Sequence, residues 1–349
     1  MDILALDLGQ SKSVCCDYQR DGRRQEFVTI DTNPGALHDL IVARNPEVVV
    51  IEICTMAGWI RDLCEALGVK LLVANTSDEP WQWRKIKRKT DRDDALKLAR
   101  LAAMEQIKPV HIPAPAMRQW RMLIHYRQKL VGLGTSTRNR IRAILQMVNV
   151  ELPAGAKGFS PAVRALLTQA HGQVLGQCED SELWRGIIRM ELDRLKVLEH
   201  QIDKVEKRLD ALAAKDERVA RLQEAPAVGP RTAELVVALM DDPKRFSRGK
   251  QVAAYAGLTP RKYQSGQRDR DGSISRAGNG YLRMLLVQAS WVGIHRHGWM
   301  RTVYERVRRG SEKRKKKAII AVSRHLLIRL WAMLRDGTHW QDEPLASVE

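Results

Sequence analysis

What the chain lacks narrows its class first. Its five cysteines (Cys15, Cys16, Cys54, Cys64 and Cys178) form no CxxC pair and are odd in number. That argues against a zinc ribbon or a disulfide framework and leaves buried, idle thiols. His295 and His297 make an isolated HxH with no cysteine at ligand spacing, so they read as helix or surface histidines. No apolar run approaches the roughly 18 residues that a bilayer span needs. The opening MDILALDLGQ places an acid at position 2 and has no basic stretch ahead of an apolar one. No secretory leader is expected, and the chain reads as cytoplasmic. Acid is also scarce: 41 Asp and Glu face 59 Lys and Arg, a net charge of +18 with a pI near 9.9. Such a surplus suits a polyanion, either nucleic acid or an anionic membrane surface.

At 349 residues the chain can hold two or three domains, each with its own core. Three regions separate by pattern: 1–110, 111–222 and 223–349. In the first, ILALDLG (3–9), EFVTID (26–31), PEVVVIEI (46–53) and KLLVAN (70–75) read as strands. The continuous β-branched run at 46–53 marks a central strand buried on both faces. GALHDLIVA and WIRDLCEAL, with apolar residues at helical spacing, lie between strands, so an α/β layer architecture is expected. The second region carries almost no strand signal. Its Leu192, Leu195, Leu198, Ile202, Val205, Leu209 and Leu212 run at three- and four-residue steps, a stripe for coiled-coil pairing or for packing within the chain. ELPAGAKGFSPA (151–162) interrupts the helices. The third region reads helix, loop, helix: LQEAPAVGPRTAELVVALM, then a polar Gly-rich segment, then an apolar helix from Tyr281.

The chemistry concentrates on carboxylates. Asp7 ends an alternating strand, and Glu52 stands in a strand otherwise built of Val and Ile. An ionised group there is expensive to bury unless paired or bound to a metal. KRKTDRDDALKLAR (87–100) then crowds Asp91, Asp93 and Asp94 behind a basic run. On a helix, residues three apart share a face while residues two apart diverge. Asp91 and Asp94 can therefore converge on one cation, whereas Asp93, three residues after Thr90, completes a capping box. The set Asp7, Glu52, Asp91 and Asp94 is all oxygen, which suits Mg²⁺ or Mn²⁺. Two such ions about 4 Å apart serve phosphodiester chemistry. Strand Asp, central-strand Glu and helix Asp is the layout of an RNase H-like nuclease core.

The Asp-bearing first strand, the E-x5-G-W segment from Glu52 to Trp59 and above all KTDRDDA (89–95) resemble the DEDD transposases of bacterial insertion sequences, the bridge-RNA-guided recombinases. The resemblance extends to the C-terminal region. It implies a RuvC-like catalytic domain at 1–110 with Asp7, Glu52, Asp91 and Asp94 as metal ligands for Mg²⁺, two ions per site, Mn²⁺ as substitute. It further implies a helical, oligomerising region at 111–222 and a mainly helical transposase domain at 223–349. LQEAPAVGPRTAELVV resembles that domain's helix-hairpin-helix, although Ala227 stands where the family's P-G-[IV]-G turn has its first glycine. In AAYAGLTPRKYQSGQRDRDGSISRAGNGYLR (253–283), the family's nucleophilic serine falls on Ser265. Ser273 and Ser275 are the other serines of this stretch. The partners implied are donor and target duplex DNA, a noncoding bridge RNA and further copies of the chain, up to a tetramer, associated with the nucleoid when active.

Basic stretches agree with that expectation. WQWRKIKRKT (81–90) sets Trp81 and Trp83 before Arg84, Lys85, Lys87, Arg88 and Lys89. RTVYERVRRGSEKRKKK (301–317) has nine basic residues against two acidic, among them Lys313, Arg314 and Lys315. With Arg261, Lys262 and Arg276 they are the expected nucleic-acid contacts. Three other classes stay open at this level. A RuvC-like nuclease or junction resolvase would need the carboxylates but no serine. An actin-like ATPase would use ALDLGQSKS as a phosphate loop, yet no second such loop follows. An architectural DNA-binding protein would leave Glu52 unexplained.

Overall fold

The computed structural model describes residues 1–75, 90–265 and 268–341. It divides into two compact units, Met1–Arg118 and Gln119–Glu349. The first unit runs β1 (Asp2–Leu8), β2 (Lys12–Gln19), β3 (Gln25–Asp31), α1 (Pro34–Arg44), β4 (Val48–Glu52), α2 (Ala57–Ala66), β5 (Lys70–Ala74) and α3 (Asp91–Ala103). The five strands form one sheet in the order β3-β2-β1-β4-β5. β1, β2 and β3 are an antiparallel meander, and β1, β4 and β5 are parallel neighbours.

Val48, Val49, Val50 and Ile51 are all fully buried, because both sheet faces are covered. Val49 and Ile51 join Leu4, Leu6, Leu37 and Ile60 in one core. Val48 and Val50 join Ile3, Ala5 and the Ala95, Leu98, Ala99 and Ala102 stripe of α3 in the other. The small residues of α3 let that helix lie close on the sheet. Cys15 and Cys16 fall one in each core. Burial pushes the Cys15 thiol up to about 12 and those of Cys16 and Cys64 to about 11. All three stay protonated and unreactive at neutral pH.

β2 was not expected from the sequence. In KSVCCDYQ the pattern is broken by Asp17, whose charge suggests a surface. Asp17 is nevertheless buried, held by Arg24 at 2.8 Å and Arg44 at 3.2 Å.

α4 (Pro115–Met147) starts in the last residues of the first unit. α5 (Pro161–His171) and α6 (Leu183–Ala213) follow. α4 and α6 run antiparallel, tied by Arg127–Glu206 at 2.6 Å, Arg138–Glu199 at 2.8 Å and Arg140–Glu191 at 2.6 Å. Between them Ile141 and Leu145 pack with Ile188, Leu192 and Leu195. The stripe singled out in the sequence therefore faces its own chain: Leu192, Leu195, Leu198 and Leu209 are buried. A different apolar row on α6, Leu183, Ile187, Met190 and Val197, is exposed.

α7 (Glu217–Gln223) and α8 (Pro230–Met240) are two helices joined by a short turn where the resemblance implies a helix-hairpin-helix, with Gly229 as N-cap and Pro230 opening α8. Ala227 sits at φ +59, a left-handed conformation that costs an L-residue roughly 1–2 kcal/mol. Ala227→Gly should therefore raise stability by about 1 kcal/mol, less the extra freedom glycine gives the unfolded chain. Chemical denaturation of the two proteins checks it; a loss of stability would mean the strain is relieved by Ala227's contacts.

α9 (Gly249–Tyr255), β6 (Pro260–Ser265), β7 (Arg268–Ile274), α10 (Gly280–Arg296), α11 (Gly298–Arg308) and α12 (Lys315–Asp336) complete the chain. β6 and β7 pair antiparallel, where the polar Gly-rich segment suggested a loop in a mainly helical domain. Neither strand carries an apolar alternation, so the pairing rests on backbone hydrogen bonds and leaves no period-2 signal. Among the described residues no helix is long and apolar enough to cross a membrane.

Candidate active site and nucleic-acid surface

Asp7 and Glu52 follow Leu6 and Ile51, which are register partners on the parallel strands β1 and β4. The two acids thus stand side by side at the carboxyl ends of adjacent strands. By strand alternation Asp7 shares a face with Ile3 and Ala5, and Glu52 with Val48 and Val50. That is the face covered by α3. α3 runs against β1: Glu105, just past its end, pairs with Arg20, just past β2, beside the start of β1. Its first turn therefore lies toward the edge that carries Asp7 and Glu52. Asp91 and Asp94 occupy that first turn, Asp91 exposed and Asp94 half-buried, one turn ahead of buried Ala95 and Leu98. Two strands and one helix end bring the four carboxylates to one edge of the sheet.

Thr90 holds the start of α3. Its backbone is extended (φ −129, ψ 153) and its hydroxyl accepts from the Asp93 amide at 3.2 Å. The same hydroxyl donates to the Asp93 carboxylate at 2.7 Å. In the expected box the acid would reach back to the Thr90 amide; here it accepts a hydrogen bond from the Thr90 hydroxyl instead. Asp93 is short by one methylene for the longer reach of Glu.

The donor set is four carboxylates without thiolate or imidazole, which fits a hard divalent cation. Among the described residues, however, no three His, Cys, Asp or Glu side chains stand close enough to share one ion. The four lie along an edge and do not meet at a point.

In the other unit, Ser265 ends β6, with Arg268 as its register partner. The hairpin's base is tightly built. Ser275 donates its amide to Thr259 at 2.8 Å, and Arg276 donates to Gly257 at 3.2 Å. Arg283 donates to the carbonyls of Ala256, Ala277 and Gly278. Gly257 and Gly278 have φ +68 and +75, and a side chain on either would strike the carbonyl of Ala277 or Tyr255. Ser273 is exposed on β7, while the Ser275 hydroxyl is buried at the base.

The basic candidates fall in several places. Arg84, Lys85, Lys87, Arg88 and Lys89, with Trp81 and Trp83, lie outside the described residues. Arg261, on β6 with Lys262 next to it, is exposed and donates to the Ser275 carbonyl at 3.2 Å. Arg276 is exposed with φ +56. Lys313 and Arg314 end a 3-10 turn that leads into Lys315 at the start of α12, all three exposed. The sequence reading passed over Trp291, an aromatic in the apolar helix α10 that keeps 39% of its surface exposed.

Two family models match the chain. That of the DEDD transposase domain of the IS110 group covers residues 4–150, and that of the transposase IS116/IS110/IS902 family covers 219–305. A putative transposase y4rJ of Sinorhizobium fredii is 29% identical over 317 residues, 84% of this chain and 78% of that protein. The transposase for insertion sequence element IS1111A of Coxiella burnetii is 28% identical over 255 residues, 70% and 66% of the two chains. A pilin gene-inverting protein of Moraxella lacunata is 31% identical over 152 residues, 43% and 46% of the two.

Proposed function

Since the chain belongs to the IS110/IS116 family of transposases, we propose that it joins the ends of an insertion sequence to a target through a serine-linked DNA intermediate. The observation that carries this reading is the shared edge of Asp7, Glu52, Asp91 and Asp94, reached by two strands and a helix of a DEDD domain. Residues 1–110 are the RuvC-like catalytic domain, 111–222 the oligomerising region and 223–349 the serine-bearing domain.

In this reading the Ser265 hydroxyl attacks a backbone phosphorus. An Oγ–P bond forms, the bond from phosphorus to the leaving sugar oxygen breaks, and that oxygen takes a proton to become a hydroxyl. No phosphodiester energy is lost, so a hydroxyl from another strand reverses the step and completes the exchange. Asp7, Glu52, Asp91 and Asp94 would hold Mg²⁺, two ions per site with Mn²⁺ as substitute, which supplies Lewis-acid activation of the oxygens in phosphodiester chemistry. A serine hydroxyl is a weak nucleophile and needs such help. No activating group adjoins Ser265 in sequence, so the carboxylates have to come to it in space, and the family resemblance implies that they are those of another subunit. The exposed row Leu183, Ile187, Met190 and Val197 on α6 supports a homo-oligomer, dimer or tetramer. The charge of +18 supports contact with donor and target duplexes and with a noncoding bridge RNA that selects both. The Moraxella relative, named for inverting a gene, supports exchange between two sites over simple cutting.

The test is a protein–DNA adduct that survives denaturation. Full-length protein, Mg²⁺, the element's flanking noncoding transcript and duplexes bearing the element ends should give one, and chelation should abolish it. Strand cleavage with no adduct would overturn the serine intermediate in favour of a RuvC-like nuclease.

A further inference from the structure

Away from the hairpin and the carboxylates, the second unit contains a cleft of about 390 Å³, between the end of α10, α11 and the first turn of α12. That volume lies within the range of small-ligand sites. Its walls include Trp291, His295, Arg301, Tyr304, Arg308 and Lys315. The exposed Trp291 indole stands tilted to the buried Tyr304, ring centroids 6.1 Å apart. The Arg308 guanidinium lies 6.0 Å from the Tyr304 ring centroid. Arg301 is engaged with the carbonyls of Ile294 at 3.1 Å and His295 at 2.9 Å, which closes the end of α10 and fixes that wall.

On the other side α12 begins Lys315-Lys316-Lys317, with no side-chain cap on its first amides. The helix dipole and the Lys315 ammonium, which lines the cleft, favour an anion there. Glu305 and Glu312 offset part of the charge by pairing with Arg308, and Glu312 also pairs with Lys315. Among the residues that line the cleft, Arg301, Arg308 and Lys315 outnumber the single acid Glu305. One end of the cleft is thus aromatic and the other cationic. A nucleotide has that same division, a flat apolar base and an anionic phosphate.

We infer that this cleft takes one unpaired nucleotide of a single-stranded nucleic acid, its base on Trp291 and its phosphate at the first turn of α12. A duplex has no open base face to offer, so the indole discriminates single strands from double. The inference rests on the reading of the chain as a nucleic-acid enzyme, but not on Ser265 or the four carboxylates.

Equilibrium binding of the full-length protein tests it, with short single-stranded oligothymidylate, the matching oligouridylate and a non-cognate duplex as probes. Trp291→Ala should weaken both single-stranded probes by about tenfold and leave the duplex within about twofold, and Trp291→Phe should restore most of the loss. The tighter of the two single strands identifies DNA or RNA as the source. Bromouracil in the probe should photocross-link to the tryptic peptide Met284–Arg296. Equal loss on all three probes, no loss on any, or a cross-link confined to other peptides would overturn the assignment. So would a changed oligomeric state of Trp291→Ala with single-strand binding intact, which would make this face a protein interface. Neither cleavage nor cognate ends enter these measurements, so a failure of the serine mechanism in the adduct assay leaves them readable.

Discussion

Ser265→Ala should remove the denaturation-resistant protein–DNA adduct entirely and lower strand exchange by at least about a thousandfold, the scale of losing a nucleophile with no substitute. Ser273→Ala should keep exchange within a few-fold, because Ser273 is an exposed residue on the opposite strand of the hairpin. Ser275→Ala should act on stability, since its hydroxyl is buried at the hairpin base. Binding of cognate duplex by Ser265→Ala should stay near the parent's, because one neutral hydroxyl adds little to contacts dominated by phosphate charge. Quantitative exchange with a persistent adduct in Ser265→Ala would move the nucleophile elsewhere. Loss of adduct in Ser273→Ala alone would assign it to β7.

The three aspartates of α3 should separate by the sign of their effect. Asp91→Asn and Asp94→Asn should each reduce exchange by more than about a thousandfold, as expected when a ligand in two-metal phosphodiester chemistry is lost. Neither should unfold the protein. In EDTA, taking one charge from the edge shared with Asp7 and Glu52 relieves like-charge repulsion and offsets the lost attraction to the helix start. Asp93→Asn should do the reverse. Its carboxylate accepts the Thr90 hydroxyl at 2.7 Å, so neutralising it weakens the cap by about 0.5 kcal/mol while exchange persists. Thermal melts in EDTA beside exchange assays in Mg²⁺ read both quantities. Equal loss of exchange in all three, with unchanged melts, would end the distinction between ligand and cap.

The capping role of Asp93 was legible in the sequence because capping is a local rule, and the Thr90–Asp93 contact obeys it. Glu52 was legible for a similar reason: an acid after four fully buried β-branched residues stands out. What escaped depends on distant partners. β2 was obscured because Asp17 looks like a surface residue until Arg24 and Arg44 fold over it. The α6 stripe was visible, but whether it meets α4 of the same chain or another copy is set by α4, not by the stripe. The β6–β7 hairpin left no apolar alternation to read. Ala227 was visible as a departure from the glycine of the family's turn, yet only the backbone angle turns that departure into strain.

The hairpin base has a mechanical consequence. Six residues of β6, at roughly 3.3 Å each, carry Ser265 about 20 Å from the anchored end. Over such an arm a tilt of about 3° at the base displaces the tip by about 1 Å, and an error of that size can cost about a hundredfold in rate. If Ser265 is the nucleophile, leverage of this kind gives the over-determined base a use. Two glycines lie against the carbonyls of Ala277 and Tyr255, and Arg283 binds those of Ala256, Ala277 and Gly278. In the proposed serine mechanism, aiming accuracy is set at the foot of the arm, about 20 Å from the nucleophile.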